Sequence, residues 1–421
     1  MHAVAAATVG QLLDVHRRST SQLQTDRSAV GRALSISGPH RIAKPMSEAV
    51  CCGYDAAASL PSSKLELRIG RGSSPMHSSA PVDPIDPPRL FADPIGTALF
   101  KSRLEDFQVE EVLGFQPSGE GEHCFVWIEK IDRNSNDVAT EIAKNLGIRK
   151  RLVNHCGLKD RAAITRQWFS IHLPGIASPS PEQIGGNGYR VLTMTRHLRK
   201  LRRGGHRANR FVIRLRDCSF DAPAAESRWR DMVSRGVPNY FGPQRFGHNG
   251  DNVELATRML SGQIAIRDRL LRGILISAAR SCLFNACVAE RVAAGIWDVP
   301  LDGDVFGFAD NHSLVLPGNL RGDEAQRVAA GSLAITAPLW GNGELQSVSV
   351  VREMEQRIAE HYSELARGLE QLNLQQERRV IRLCPSESHL QWESGSELVL
   401  RFELPTGTYA TTLLREMVGF V

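Results

Sequence analysis

The sequence predicts an α+β protein in which a β-rich domain is interrupted by a second domain of different character. Three observations carry this. Segments between Phe107 and Arg216 alternate apolar and polar residues, as half-buried strands do. From about Leu271 to Ala294 the pattern becomes that of a long helix, with Ile274, Ala278, Leu283, Phe284 and Val288 available for one buried face. From about Arg378 the β character returns. A β-rich region resumed after such a middle implies an insertion, and the expected divisions are 1–85, 86–235, 236–377 and 378–421.

In chain order, residues 1–85 are rich in Ser, Ala, Gly and Pro, with short basic patches and little periodicity. The run from Pro81 to Pro88 cannot form a helix or a central strand. This stretch reads as a disordered extension or linker, with Met76 a candidate start, and folded structure is expected from near Leu90. Strands are expected over 107–113 and 124–129. Asn134, Ser135, Asn136 and Asp137 then offer N-caps, Val138, Ile142 and Leu146 recur at helical spacing, and Gly147 ends the helix. Strands follow over about 166–173, 189–195 and 210–216. Helices over 251–260 and 351–369 accompany the long one, then strands over 380–383 and 397–404 and a final helix near 409–418. No internal repeat is visible.

The 42% hydrophobic and 23% charged content are ordinary for a soluble globular chain, and a net charge of +5 over 421 residues does not by itself mark a nucleic-acid binder. The eight cysteines include no Cys-x-x-Cys pair, which argues against a zinc ribbon or a thioredoxin-type site. With no apolar run near 18 residues and no secretory leader over 1–13, the expectation is a reducing, cytoplasmic setting without a membrane partner.

The chemistry concentrates in Cys156-Gly157-Leu158-Lys159-Asp160-Arg161, just before the β-prone Arg166–Phe169. One acid sits between two cations after a glycine turn, and nearby positive charge favours a carboxylate. That suits a nucleophile or charge stabiliser better than a proton donor, although an arbitrary Asp in this pattern is a surface ion pair. Lys159, Arg161 and Arg415 are each candidate partners for Asp160. His155, beside the turn, reads as a packing or hydrogen-bonding residue. The strongest electrostatic signal is Arg196-His197-Leu198-Arg199-Lys200-Leu201-Arg202-Arg203-Gly204-Gly205-His206-Arg207, with six Arg or Lys and no acid. Such a cluster attracts a phosphate backbone. It leads directly into Asn209-Arg210-Phe211.

These stretches, with Lys101-Ser102-Arg103-Leu104-Glu105-Asp106-Phe107-Gln108-Val109-Glu110-Glu111, Val237-Pro238-Asn239-Tyr240-Phe241-Gly242-Pro243-Gln244-Arg245-Phe246-Gly247, Ser277-Ala278-Ala279-Arg280-Ser281, Arg378-Arg379-Val380 and Leu404-Pro405-Thr406-Gly407, occur in an order that resembles the TruD family of tRNA pseudouridine synthases. The resemblance runs from about Leu90 to the C-terminus. It implies a catalytic domain with a mixed or antiparallel sheet, interrupted by an inserted α+β domain. It implies conversion of uridine to pseudouridine, at position 13 of tRNA, with no metal or cofactor. Asp160 is then the catalytic carboxylate, attacking either the uracil ring or the ribose.

The resemblance also places Lys101, Phe107, Lys159, Arg161, Asn209, Phe211 and Arg245 around the substrate. Phe211 is a candidate base-stacking ring, since stacking on a base contributes about 1–3 kcal/mol. Simple core packing is the rival reading for Phe107 and Phe211. Arg196, Arg199, Lys200, Arg202, Arg203 and Arg207 are the candidate RNA-backbone contacts. Tyr240 and Phe246 suit a domain hinge and core. The implied partner is tRNA, with structured mRNA a second candidate and a monomer as the assembly. Two other readings remain at this point: a non-catalytic RNA-binding protein or RNA chaperone of the same fold, and a hydrolytic N-glycosylase, for which no second acid stands at a suitable position.

Overall fold

The computed structural model describes residues 82–308, 313–319 and 321–421. The expected N-terminal extension and the Met76 start therefore lie outside the described residues, except for 82–85. Those four are ordered: Val82 and Ile85 pack on an apolar cluster, and the Pro84 carbonyl accepts from Asn285 Nδ2 at 2.9 Å.

The first part of the chain forms β1 (Thr97–Phe100), β2 (Phe107–Leu113), β3 (His123–Ile131), α1 (Ser135–Asn145), β4 (Val153–His155), β5 (Ile164–His172), α2 (Pro181–Ile184), β6 (Tyr189–His197), β7 (His206–Arg216) and α3 (Ala222–Arg235). The middle contributes β8 (Val237–Pro238), α4 (Asp251–Leu260), α5 (Arg269–Ala293), β9 (Phe306–Gly307), β10 (Leu314–Val315), α6 (Glu324–Ala329), β11 (Ala334–Leu339), α7 (Ser349–His361) and α8 (Ser363–Gln371). It continues through β12 (Glu377–Val380) and β13 (Arg382–Leu383), and the chain closes with β14 (Ser386–Ser394), β15 (Glu397–Pro405), α9 (Ala410–Leu414) and β16 (Gly419–Phe420).

A ten-stranded sheet runs β14-β15-β7-β2-β5-β3-β6, with β1 beside β7, β16 beside β1 and β4 beside β5. It is mixed: β2 pairs with β5, and β1 with β16, in parallel, while its other pairings are antiparallel. Strands from both ends of the chain build it, and β15 pairs with β7 from Leu398–Leu215 to Pro405–Ala208. One face of it is covered in two parts. α3 and α9 bury Trp229, Met232, Leu413 and Leu414 with Phe211, Ile213 and Phe402, while α1 buries Val138 and Ile142 with Val126, Ile128 and Phe169.

The middle of the chain has its own core around α5, whose Leu275, Ala278, Leu283, Phe284 and Val288 are all fully buried. Ile274, expected on that face, is instead 41% exposed, because the buried stripe runs one position later through Leu275. By length and composition alone α5 could cross a membrane, with a mean hydropathy of 1.3 over its richest window. In the structure 61% of that window is buried inside protein, which makes α5 a core helix. Tyr240 and Phe246 join this core, as the hinge-and-core reading expected. The six described cysteines are all unpaired.

Candidate active site

Two rows of side chains across the large sheet form the floor of the site. Lys130 lies opposite Thr165, Thr165 opposite Val109, Val109 opposite Phe211 and Phe211 opposite Phe402. One step along each strand on the same face, Ile128 opposes Gln167, and Glu111 opposes Asn209, which opposes Leu404. Opposed residues share a face and residues two apart along a strand return to it. A polar line of Lys130, Gln167, Glu111 and Asn209 therefore runs through an otherwise apolar surface.

The loop 156–163, between β4 and β5, folds over this line and is tied at nearly every peptide. The Gly157 carbonyl accepts from Gln167 Nε2 at 3.1 Å and from His155 Nδ1 at 2.8 Å. The Lys159 amide donates to Ser135 Oγ at 3.1 Å, and that hydroxyl donates to Gln167 Oε1 at 2.6 Å. Ser135, read in the sequence as part of an N-cap, thus holds the loop, and Asn134 makes no side-chain cap. From below, the fully buried Lys130 ammonium donates to the carbonyls of Arg133 at 2.6 Å, Asp160 at 2.9 Å and Lys159 at 3.5 Å. Burial pushes its pKa down to about 8, against the opposing pull of the Asp160 charge. His155 is also shifted down, chiefly by burial.

Asp160 itself is turned outward, its side chain 44% exposed, and its carboxylate meets Lys101 Nζ at 2.5 Å. Lys101 follows β1 with φ at +57°, a left-handed conformation that non-glycine residues rarely adopt. Its ammonium also lies 3.8 Å from the centroid of the Phe107 ring. The result is a carboxylate open to solvent on a fixed backbone, with one cation beside it.

None of the three cations considered from the sequence pairs with Asp160. Lys159 turns inward to Glu111 Oε2 at 2.9 Å, both nearly buried. Arg161 clips the loop to Asp132 at 3.1 Å, and Arg415 holds Asp86 at 3.1 Å. The sequence missed Lys130, Ser135 and Gln167, which no local pattern marks, because the sheet register brings them together; Glu111, at the end of the Lys101–Glu111 stretch, was given no role.

Phe107 and Phe211 are 3% and 6% exposed, and Phe211 stacks on Phe402 with centroids 5.4 Å apart. Both rings serve the core in this structure. Asn209 presents a buried Oδ1 with no hydrogen-bond partner among the described residues. Arg245 is engaged within the protein, donating to Ser277 Oγ at 2.7 Å and to the Tyr409 hydroxyl, with its guanidinium 5.3 Å from the Phe241 ring centroid.

The basic run forms the end of β6 and the turn to β7. Gly204 N donates to the Cys156 carbonyl at 2.7 Å, and Leu201 is buried with Cys156 and Phe125, so this turn lies directly against the Asp160 loop. Arg196 donates to Ser178 Oγ and to the Gly121, Leu173 and Ile176 carbonyls, and Arg207 pairs with Glu403 at 3.1 Å. Arg199, Lys200, Arg202 and Arg203 are exposed and form no ion pair among the described residues. The turn from β15 to α9 joins the rim, where Thr406 Oγ1 donates to the His206 carbonyl at 2.6 Å. Thr406 also lines a cleft of about 600 Å³ with Asn239, Thr336, Arg378, Arg379 and Thr408.

Glu111, Cys156 and His206 each bring a possible metal-ligand atom within 4.8 Å of one another. The Lys159 ammonium already supplies positive charge to this group. Burial, and then that charge, hold the His206 pKa down at about 4, while burial pushes the Cys156 thiol up to about 12.

Comparison with known proteins identifies the family. The family model described as tRNA pseudouridine synthase D (TruD) matches residues 91–266 and 260–417. The chain is 41% identical over 334 residues to the tRNA pseudouridine synthase D of Pseudomonas entomophila strain L48, covering 79% of this chain and 95% of that protein. It is likewise 41% identical over 334 residues to the protein of that name from Pseudomonas aeruginosa strain LESB58, covering 79% and 94%. The crystal structure of a putative tRNA pseudouridine synthase D from Methanosarcina mazei shares the fold, with a TM-score of 0.57 at 19% identity over 80% of this chain and 95% of that one. With a family model spanning most of the chain and relatives matched over nearly their whole length, this chain belongs to the tRNA pseudouridine synthase D (TruD) family.

Proposed function

We propose that the protein isomerises uridine to pseudouridine in tRNA, that the target is uridine 13, and that Asp160 is the catalytic carboxylate. The observation that carries this reading is the outward-facing Asp160 side chain, paired with Lys101 on a fully tethered loop beside four unpaired surface cations. In the reaction the N1–C1′ bond breaks, the uracil turns, and C5 bonds to C1′ as C5 loses its proton and N1 takes one up. Product and substrate are isomers, so no oxidant or second substrate enters the balance. An anionic nucleophile serves whether it adds to the ring or takes C1′. The cations of 199–203 hold the RNA backbone over the site, and the Asn209 amide, beside His206, carries both a donor and an acceptor suited to a base edge. Residues 236–377, which lie on the far side of the 600 Å³ cleft from Thr406, act as the second jaw around the tRNA.

The test is to incubate the protein with an unmodified tRNA transcript and map pseudouridine by carbodiimide labelling. Wild type should give pseudouridine at position 13, and Asp160→Asn should lose at least about 10³-fold in kcat. Modification at another position would reassign the target, and tRNA binding without product would favour the non-catalytic reading. Release of free uracil would indicate a glycosylase. Full activity in Asp160→Asn would remove Asp160 from the chemistry.

A further inference from the structure

We propose that Lys130 is a positioning residue for this reaction: its buried ammonium grips the carbonyls of Lys159 and Asp160 and so fixes the peptide on which the Asp160 carboxylate is mounted. The inference rests on the reading of Asp160 as the catalytic carboxylate.

Lysine is almost never fully buried without a partner, yet Lys130 is 0% exposed and forms no ion pair among the described residues. Its acceptors are three backbone carbonyls, two of them on consecutive residues of the Asp160 loop and the third on Arg133. Holding two successive carbonyl oxygens fixes both peptide planes around the Asp160 Cα, and with them the direction of its side chain. An apolar residue at this point of the sheet would pack without desolvating a charge.

The charged groups around Lys130 are otherwise engaged. From the β3–α1 turn, Asp132 pairs with Arg161 and Arg133 with Glu141. From the active loop, Lys159 pairs with Glu111 and Asp160 with Lys101. Across the neighbouring strands stand Thr165 and Tyr189, whose hydroxyl donates to the Ile184 carbonyl at 3.0 Å. Carbonyl dipoles therefore provide the direct stabilisation of the ammonium.

This arrangement has a pH signature. Burial places the Lys130 pKa at about 8 in the folded protein, against an ordinary 10.5. Above pH 8 the neutral amine has two N–H donors for three acceptors, and the hold on Asp160 loosens. Stability moves the other way. Between about pH 8 and 10.5 the unfolded chain binds the extra proton, so the Lys130 contribution to stability rises with pH. Loss of kcat alongside a rising stability contribution, over one pH window, is not what a purely structural lysine produces.

The experiment measures kcat and KM for an unmodified tRNA transcript, with thermal melts, from about pH 6.5 to 10. It compares wild type, Lys130→Met and Lys130→Arg, with Asp160→Asn alongside. In Lys130→Met, kcat should fall by about 10²-fold, the scale of a 1 Å misplacement. KM should hold, and the basic limb near pH 8 should vanish. Lys130→Arg stays charged throughout and should recover part of kcat with no limb near pH 8. Wild-type kcat in Lys130→Met, or a reduced kcat that tracks only the folded fraction and keeps the limb, would overturn the proposal. If Lys130→Met does not fold, a limb near pH 8 that persists in Lys130→Arg overturns it. Activity in Asp160→Asn would instead sink the underlying reading of Asp160, whatever the Lys130 variants show.

Discussion

Lys101 and Glu111 sit on either side of the Asp160 loop and do different work, which substitution separates. The Lys101–Asp160 pair is partly exposed, at 21% and 44% of the two side chains. Lys101→Met is therefore expected to change stability by no more than about 1 kcal/mol, while kcat falls by roughly 10²-fold through loss of the charge that orients the carboxylate. A urea titration beside steady-state kinetics checks both. Glu111 and Lys159 form a nearly buried pair, and Glu111→Gln leaves the ammonium without its counter-charge. This is expected to cost about 3–5 kcal/mol, and the double variant Glu111→Gln/Lys159→Met should restore most of it. The same measurement reads this directly. At this scale the sequence announced Asp160, because one acid between two cations in a Gly-Leu-Lys-Asp-Arg run is a local pattern. Its partner was not announced, because Lys101 lies 59 positions away and reaches Asp160 only through a left-handed turn.

Among the elements, β7 ties the site to the rest of the sheet, since it receives the basic turn at its start and pairs with both β2 and β15. Phe211 sits near its middle, in the core between Phe107 and Phe402. Phe211→Ala is expected to lower stability by about 3–5 kcal/mol. Equilibrium unfolding tests this, and a loss below 1 kcal/mol with a large rise in KM would return Phe211 to the base-stacking role. The periodic elements were legible: 107–113 and 251–260 occur as strand and helix over those residues. Others were hidden for physical reasons. β14 is an edge strand of mostly polar residues, whose alternation rests on only two apolar side chains, Leu390 and Trp392. The helix expected over 351–369 breaks at Tyr362, where ψ is +41°, and the last helix shortens to five residues before β16 pairs with β1. α3, capped by Asp221, went unassigned although Trp229 and Met232 bury one face.

For the whole molecule, the net charge of +5 understates what an RNA would meet at the turn between β6 and β7. Replacing Arg199, Lys200, Arg202 and Arg203 together by Gln should weaken binding across tRNA sequences. It should also flatten the slope of log K against log salt by up to about one unit per cation removed. An unchanged slope in a salt series would move the RNA path elsewhere. The return of β character pointed to a sheet built from both ends of the chain, but not to its start or strand order. The strands at 377–383 pair with β11 and β8 in small separate sheets, and the large sheet resumes only at Ser386, as long-range pairing alone decides. That order has a consequence for how the protein is made. While the chain emerges from the ribosome, the side of β7 destined for β15 stays unsatisfied until Leu398–Pro405 has been synthesised. The nascent protein thus carries an open, apolar sheet edge, a template for unwanted pairing, through the whole translation of the intervening segment. The large sheet, and the site built on it, can therefore be finished only after the whole segment between Arg216 and Leu398 has been made.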